Sequence, residues 1–148
     1  MTYRITKTYD DSLVLHEWGT ALTASDFGTD ASDSALIRDL GAGLVEGDII
    51  IDVSQLDVDS GNEIVTVGAQ ISDSATFASS YYQVACIQLG DAAAIAGDVD
   101  MTTGRYVLPF NNMIADGTTK RYLRLYITIA GTVAGFKCLA YLAVRNRQ

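Results

Sequence analysis

Few side chains in this sequence are arranged as a catalyst or a metal site would need. His16 and Glu17 stand side by side next to Trp18, and a histidine with a carboxylate can work as a general base with its orienting group. Neighbours on an extended chain point to opposite sides, however, and no serine lies in a Gly-x-Ser-x-Gly elbow. The pair therefore reads as structural, with Trp18 as an anchor on an apolar contact surface. The loop Asp57-Val58-Asp59-Ser60-Gly61-Asn62-Glu63 gathers several oxygens, as a calcium ion requires. Gly61 comes one position too early for an EF-hand and no acid fills the twelfth position, so the loop reads as a turn. Asp98-Val99-Asp100 reads the same way. Gly41-Ala42-Gly43 precedes a strand-like run instead of following one, and no lysine stands in the phosphate-loop position. Cys86 and Cys138 each sit in an apolar run and read as buried free thiols. One histidine and two cysteines rule out a His-rich metal site, a four-cysteine zinc site and a disulfide framework by count. No catalytic residue, metal or cofactor is expected, and the chain is read as no enzyme.

What must position any contact residues is a β framework. The 148 residues suit one domain, and 49% hydrophobic with 19% charged residues describes a globular chain. Apolar residues alternate with polar ones at Val45, Ile49, Ile51 and Val53, and again at Val65, Val67, Ala69 and Ile71. They do so at Leu123, Leu125, Ile127 and Ile129, and at Phe136, Cys138, Ala140, Leu142 and Val144. Tyr81 to Leu89 is nearly all apolar, the pattern of a central strand, and Arg105 to Phe110 is a shorter strand ending near the only proline, Pro109. Turn clusters separate the runs, and no long helical period is present. Seven or eight strands at this spacing predict an all-β protein, a sandwich or a barrel, with a single-domain, jelly-roll-like β-sandwich over residues 41–148 the first choice. Residues 1–15 read as an extended arm or first strand, whereas residues 16–43 are rich in Ser, Thr, Ala, Gly and Asp and hold no period. Residues 1–40 together predict an extended N-terminal arm, ordered by a neighbour through Leu13, Leu15, Trp18 and Phe27.

The net charge of −8 is divided unevenly. Residues 1–100 hold 17 acids and 3 bases, a balance of −14, while residues 101–148 hold 1 acid and 7 bases, a balance of +6. The acidic body argues against a nucleic-acid partner. The basic end either meets an acidic partner or pairs with the chain's own acidic half. Met1 to Thr8 lack the apolar core of a secretion signal, and no apolar run approaches the roughly 18 residues of a membrane span, so no membrane partner is expected.

The last two alternating runs carry the sharpest expectation. If they form an antiparallel hairpin around Thr132-Val133-Ala134-Gly135, their apolar faces match. The outer face then carries Tyr122, Arg124 and Tyr126 beside Tyr141 and Arg145. Tyrosine and arginine on one outward face is the composition of an oligomer or partner contact. The alternatives are a surface sheet with stacked aromatics and a second core layer beneath the N-terminal segment.

A Gly-rich turn enters an Ile/Val strand between Gly41 and Val53, an acidic turn and a Val-alternating strand follow from Glu63 to Ile71, and a Ser-rich link runs from Ser72 to Phe77. Then come Gly104-Arg105-Tyr106 leading to Leu108-Pro109-Phe110, the run Arg121-Tyr122-Leu123-Arg124-Leu125-Tyr126, a Gly131 to Gly135 turn and an Ala-rich last strand. This order resembles the capsid cement, or decoration, proteins of tailed bacteriophages, particularly the jelly-roll type, over roughly residues 36–146. The resemblance implies a structural virion protein on the outer surface of an icosahedral capsid, assembled in the host cytoplasm. It implies a homo-oligomer, a trimer being favoured, that bridges neighbouring major capsid proteins and stabilises the shell against internal DNA pressure. A carbohydrate-binding or adhesin-like β-sandwich is the alternative, because jelly rolls host both.

Overall fold

Apolar residues at every second position leave each run one side to bury. The computed structural model, which describes residues 9–145, shows against what. The described strands are β1 (Val14–His16), β2 (Asp26–Phe27), β3 (Arg38–Asp39), β4 (Glu46–Leu56), β5 (Ile64–Ser72), β6 (Tyr81–Gly90), β7 (Gly104–Asn111), β8 (Tyr122–Ala130) and β9 (Phe136–Val144). A single helical turn, α1 (Ala92–Ile95), follows β6, capped by the Asp91 carboxylate. Two antiparallel sheets result, ordered β1-β9-β4-β7 and β2-β8-β5-β6, with β3 also on β8. The pairing is nested. β5 pairs with β6, β4 with β7, β2 and β3 with β8, and β1 with β9, so the chain doubles back around residues 73–80. A double sheet wound in this way is a jelly roll.

Nesting lays the acidic first part of the chain against the basic end. Asp39 pairs with Arg121 at 2.7 Å, Asp48 with Arg145 at 2.9 Å, Asp52 with Arg105 at 2.7 Å and Asp73 with Lys120 at 2.8 Å. These pairs are largely exposed and individually weak. Their value lies in register, since opposite charges face one another across neighbouring elements where like charges would repel. Of the two readings of the basic end, pairing with the chain's own acids accounts for four of its cations. Arg147 lies outside the described residues.

Between the sheets lie Ile49, Ile51 and Leu142 from one side and Val67, Leu125 and Ile127 from the other, all without exposure, with Phe136 the largest fully buried side chain among the described residues. A second, smaller cluster of Val14, Ile50, Tyr141 and Ala143 covers the outer face of β4 and β9.

Several expectations are corrected. The runs 122–130 and 136–144 form no hairpin: β8 pairs with β5, whereas β9 pairs with β4 and β1 in the other sheet. Residues 131–135 therefore cross between sheets. Both strands turn their apolar positions to the same interior, so alternation alone does not distinguish a hairpin from a crossing. Tyr81–Gly90, apolar enough for a central strand, is an edge. The described part of segment 1–40 is no separate arm. Leu15 has no exposure and belongs to the main core, and β1, β2 and β3 complete the ladders of β9 and β8. A short strand closes an edge at little cost in sequence pattern, which is why no period marks it. Residues 1–8 of the expected arm lie outside the described residues.

His16 latches this segment down. It is 3% exposed, and its Nδ1 accepts the Thr29 backbone N–H at 3.1 Å. Burial pushes its pKa below the usual value, against the opposing pull of Asp26, Glu17 and Asp33. A buried neutral histidine binds its proton more weakly folded than unfolded, so stability is full above the unfolded value of about 6.5 and falls as pH drops below it. Urea unfolding between pH 8 and 5 should show that slope in wild type and lose it in His16→Asn. A slope unchanged in the variant would assign the effect elsewhere. At lower pH a second decline is expected, because the Arg121 guanidinium and the Gly41 N–H hold the Asp39 carboxyl at about 2.

Candidate contact face around Arg124

Alternation along β8 sends Leu123, Leu125 and Ile127 inward and Tyr122, Arg124 and Tyr126 outward. Across the ladder Arg124 stands opposite Gln70 and Tyr126 opposite both Phe27 and Gly68. The Arg124 Nε donates to Gln70 Oε1 at 2.9 Å. Its guanidinium lies 4.3 Å from the ring centroid of Phe77, 5.3 Å from that of Tyr81 and 6.0 Å from that of Phe27. Cations over ring faces are attracted by the negative π face, more strongly where water is excluded.

The link 73–80 delivers Phe77 to this cage. Ser72 Oγ accepts the Ser74 N–H at 3.0 Å and donates to the Ser80 carbonyl at 2.9 Å, which holds the link as a compact turn. Phe77 takes a left-handed φ of 54° there and is 6% exposed. That conformation costs a bulky residue about 1–2 kcal/mol, offset by the burial of its ring.

The electrostatics separate Arg124 from the other C-terminal arginines. Burial pulls its pKa below the usual arginine value, with Tyr81 and Tyr126 acting in the opposite direction. Arg105, Arg121 and Arg145 each meet an aspartate, whereas no carboxylate pairs with Arg124 among the described residues. A cavity of about 100 Å³ opens beside it, walled by Phe27, Ala35, Ile37 and Thr76. Drug-sized ligands occupy about 300–1,000 Å³. This cavity has the dimensions of a single side chain.

The other expected contact residues lie elsewhere. Tyr141 is on the outer face of the opposite sheet, 3% exposed, packed with Ile50 and Val14 and meeting the Tyr9 ring edge-on at 5.2 Å. It serves packing within the chain. Arg145 follows β9 in that same sheet and donates to Asp48 at 2.9 Å. Neither joins Tyr122, Arg124 and Tyr126, because β8 and β9 belong to different sheets. Trp18 is 44% exposed between β1 and β2 and takes no part in the cage. Conversely, Phe27, Gln70, Phe77 and Tyr81 belong to the face and were not expected there as a group. The one local signal was Tyr81, at the polar-flanked start of an apolar run.

The remaining groups are accounted for by structure. Glu17 Oε2 accepts the Ala31 N–H at 2.8 Å, so His16 and Glu17 both hold backbone of the 29–31 turn. Asp57 Oδ2 accepts the Ala134 N–H at 2.7 Å, and the buried Glu63 carboxylate accepts the N–H groups of Ser60 and Asn62. Burial would raise the Glu63 pKa, but those backbone donors outweigh it and hold it low. Among the described residues no group of His, Cys, Asp or Glu converges as metal ligands. Both cysteines are free thiols. Cys138 is buried, which pushes its pKa up to about 12, but Cys86 is exposed on the outer side of β6, contrary to the expectation of two buried thiols. Alternation put it outside, opposite Gly68, where an apolar run alone could not tell. No family model matches this chain, and no curated protein matches it.

Proposed function

We propose that this chain is a non-catalytic structural protein of a tailed-bacteriophage virion, a decoration protein on the outer capsid surface. In this reading it assembles in the host cytoplasm as a homo-oligomer, a trimer being favoured, and bridges neighbouring major capsid proteins. The observation that carries the reading is the cage of Arg124. Within Tyr122–Tyr126, which together with the turn behind it most specifically resembles decoration proteins, the outward side chains present a cation framed by aromatic rings with no acid beside it among the described residues. Arginine and tyrosine in a desolvated setting are the residues that anchor interfaces. A protein that binds the closed shell and not its opened form stabilises the shell by linkage, which requires a rigid body and contact area but no reaction.

The test is pelleting with emptied, expanded capsids. Saturable co-sedimentation, together with a raised capsid melting temperature, is the expected result. Protein that stays in the supernatant would overturn the reading. Capture on a glycan array would support the carbohydrate-binding alternative, for which the exposed neighbours Tyr81 and Tyr82 supply stacking surfaces.

A further inference from the structure

The two ends of the sandwich are chemically unlike. Residues 17–25, 57–63, 91–103 and 131–135 join strands at the end where β6 and β8 finish. These loops carry Glu17, Asp57, Asp59, Glu63, Asp91, Asp98 and Asp100, and no lysine or arginine. The opposite end, where β8 begins, holds the cations Lys120, Arg121 and Arg124 among acids that include Asp30, Asp33 and Asp116; the first two cations are satisfied by Asp73 and Asp39. From the acidic end projects Asp98-Val99-Asp100. Val99 is 75% exposed, the most exposed large hydrophobic residue among those described. The loop is held in shape: Asp100 Oδ1 accepts the Ala92 N–H at 2.8 Å, and the Met101 N–H reaches the Gly90 carbonyl at 3.0 Å. Its apolar tip between two carboxylates matches, in size and in charge, a cavity of about 100 Å³ with apolar walls and a guanidinium at its side.

We infer that Arg124 and this cavity are the socket for the Asp98–Asp100 loop of a second copy of the chain, with Val99 entering beside Phe27 and Ile37 and Asp98 meeting the guanidinium. The inference rests on the proposed role of the Arg124 face and names its occupant. Because Nε is already held by Gln70, the terminal nitrogens are the donors left for a carboxylate. A molecule cannot fill its own socket: the 10 residues of β6 separate Tyr81 from the loop, about 30 Å along the strand. Unless two copies exchange loops reciprocally across a two-fold axis, each copy gives its loop to one neighbour and receives the loop of another. Such a head-to-tail contact closes into a ring or runs on as a filament, and a ring of three is the closed form that suits a trimer.

Sedimentation of the full chain tests this. Wild type should sediment as a closed oligomer. Asp98→Arg, at an exposed position, and Arg124→Glu should each raise the dissociation constant at least about 30-fold, and the chain carrying both should recover association. Val99→Ser should weaken association without changing charge. A monomeric wild type, or an Asp98→Arg variant that keeps the wild-type oligomer, overturns the inference. Because Asp98 lies on an exposed loop, its variant decides the matter even if Arg124→Glu fails to fold. Capsid pelleting of the same variants keeps the two ideas apart. Capsid binding by a wild type that does not self-associate discards the loop as occupant and leaves the decoration role standing.

Discussion

Leu15→Ala is expected to cost the fold about 3 kcal/mol, within the range of about 2–5 kcal/mol for emptying a leucine-sized space in a core. Leu15 has no exposure and packs among residues of both sheets. Its neighbourhood has little room to collapse. At Gly28 even a Cβ would run into the Leu15 carbonyl, and a Cβ there would also lie 3.4 Å from that of Leu125. The Arg38 Nε donates to the Val14 carbonyl at 2.6 Å, so β1 is tied from both sides. Equilibrium urea unfolding of the variant measures the cost. A change below about 0.5 kcal/mol, the size of an ordinary surface substitution, would return residues 9–40 to the status of a dispensable arm.

The second large effect concerns the crossing from β8 to β9. Gly131 has φ +81°, and a Cβ placed on it would collide with the Asn62 backbone carbonyl. The contact is not incidental: Asn62 Oδ1 accepts the Thr132 N–H at 2.9 Å, and its Nδ2 donates to Thr132 Oγ1 at 3.2 Å. The crossing is thereby pinned to the β4–β5 turn. Gly131→Ala combines a left-handed alanine with a displaced turn, and a loss of about 2–3 kcal/mol is expected. Gly117→Ala is the matched control, because Gly117 has φ +86° with nothing near its would-be Cβ. It should cost only the conformational part, about 1 kcal/mol. Equal losses in the two variants would mean that the crossing tolerates a shift and that the close approach to Asn62 is unimportant.

Much of the fold was legible in residues taken a few at a time. The runs at 45–53, 65–71, 123–129 and 136–144 each announced a strand and its buried side, and Ile49, Val67, Leu125 and Leu142 point inward as the alternation required. The outward direction of Tyr122, Arg124 and Tyr126 was legible for the same reason. The exposure of Cys86 and the burial of Tyr141 were not. Cys86 lies on an edge strand whose outer side is open, and Tyr141 faces outward from its sheet into a second cluster made by Val14 and Ile50. Both outcomes depend on what covers a face, which a strand's own pattern does not state.

A strand's period is set by the alternation of its Cβ atoms, so local sequence decides that a run is extended and which side it buries. In this chain it therefore decided an all-β sandwich, its inner residues and an outward Arg124. Which sheet each strand joins depends on pairing between segments far apart, and no local window contains that energy. β8 and β9 adjoin in sequence yet part into different sheets, while Phe27, Gln70, Phe77 and Tyr81 converge on Arg124 from three other regions of the chain. Tertiary structure alone made that cage and left its cation without a carboxylate among the described residues, because the aspartates that the winding brings to this sheet, Asp39 and Asp73, are taken by Arg121 and Lys120.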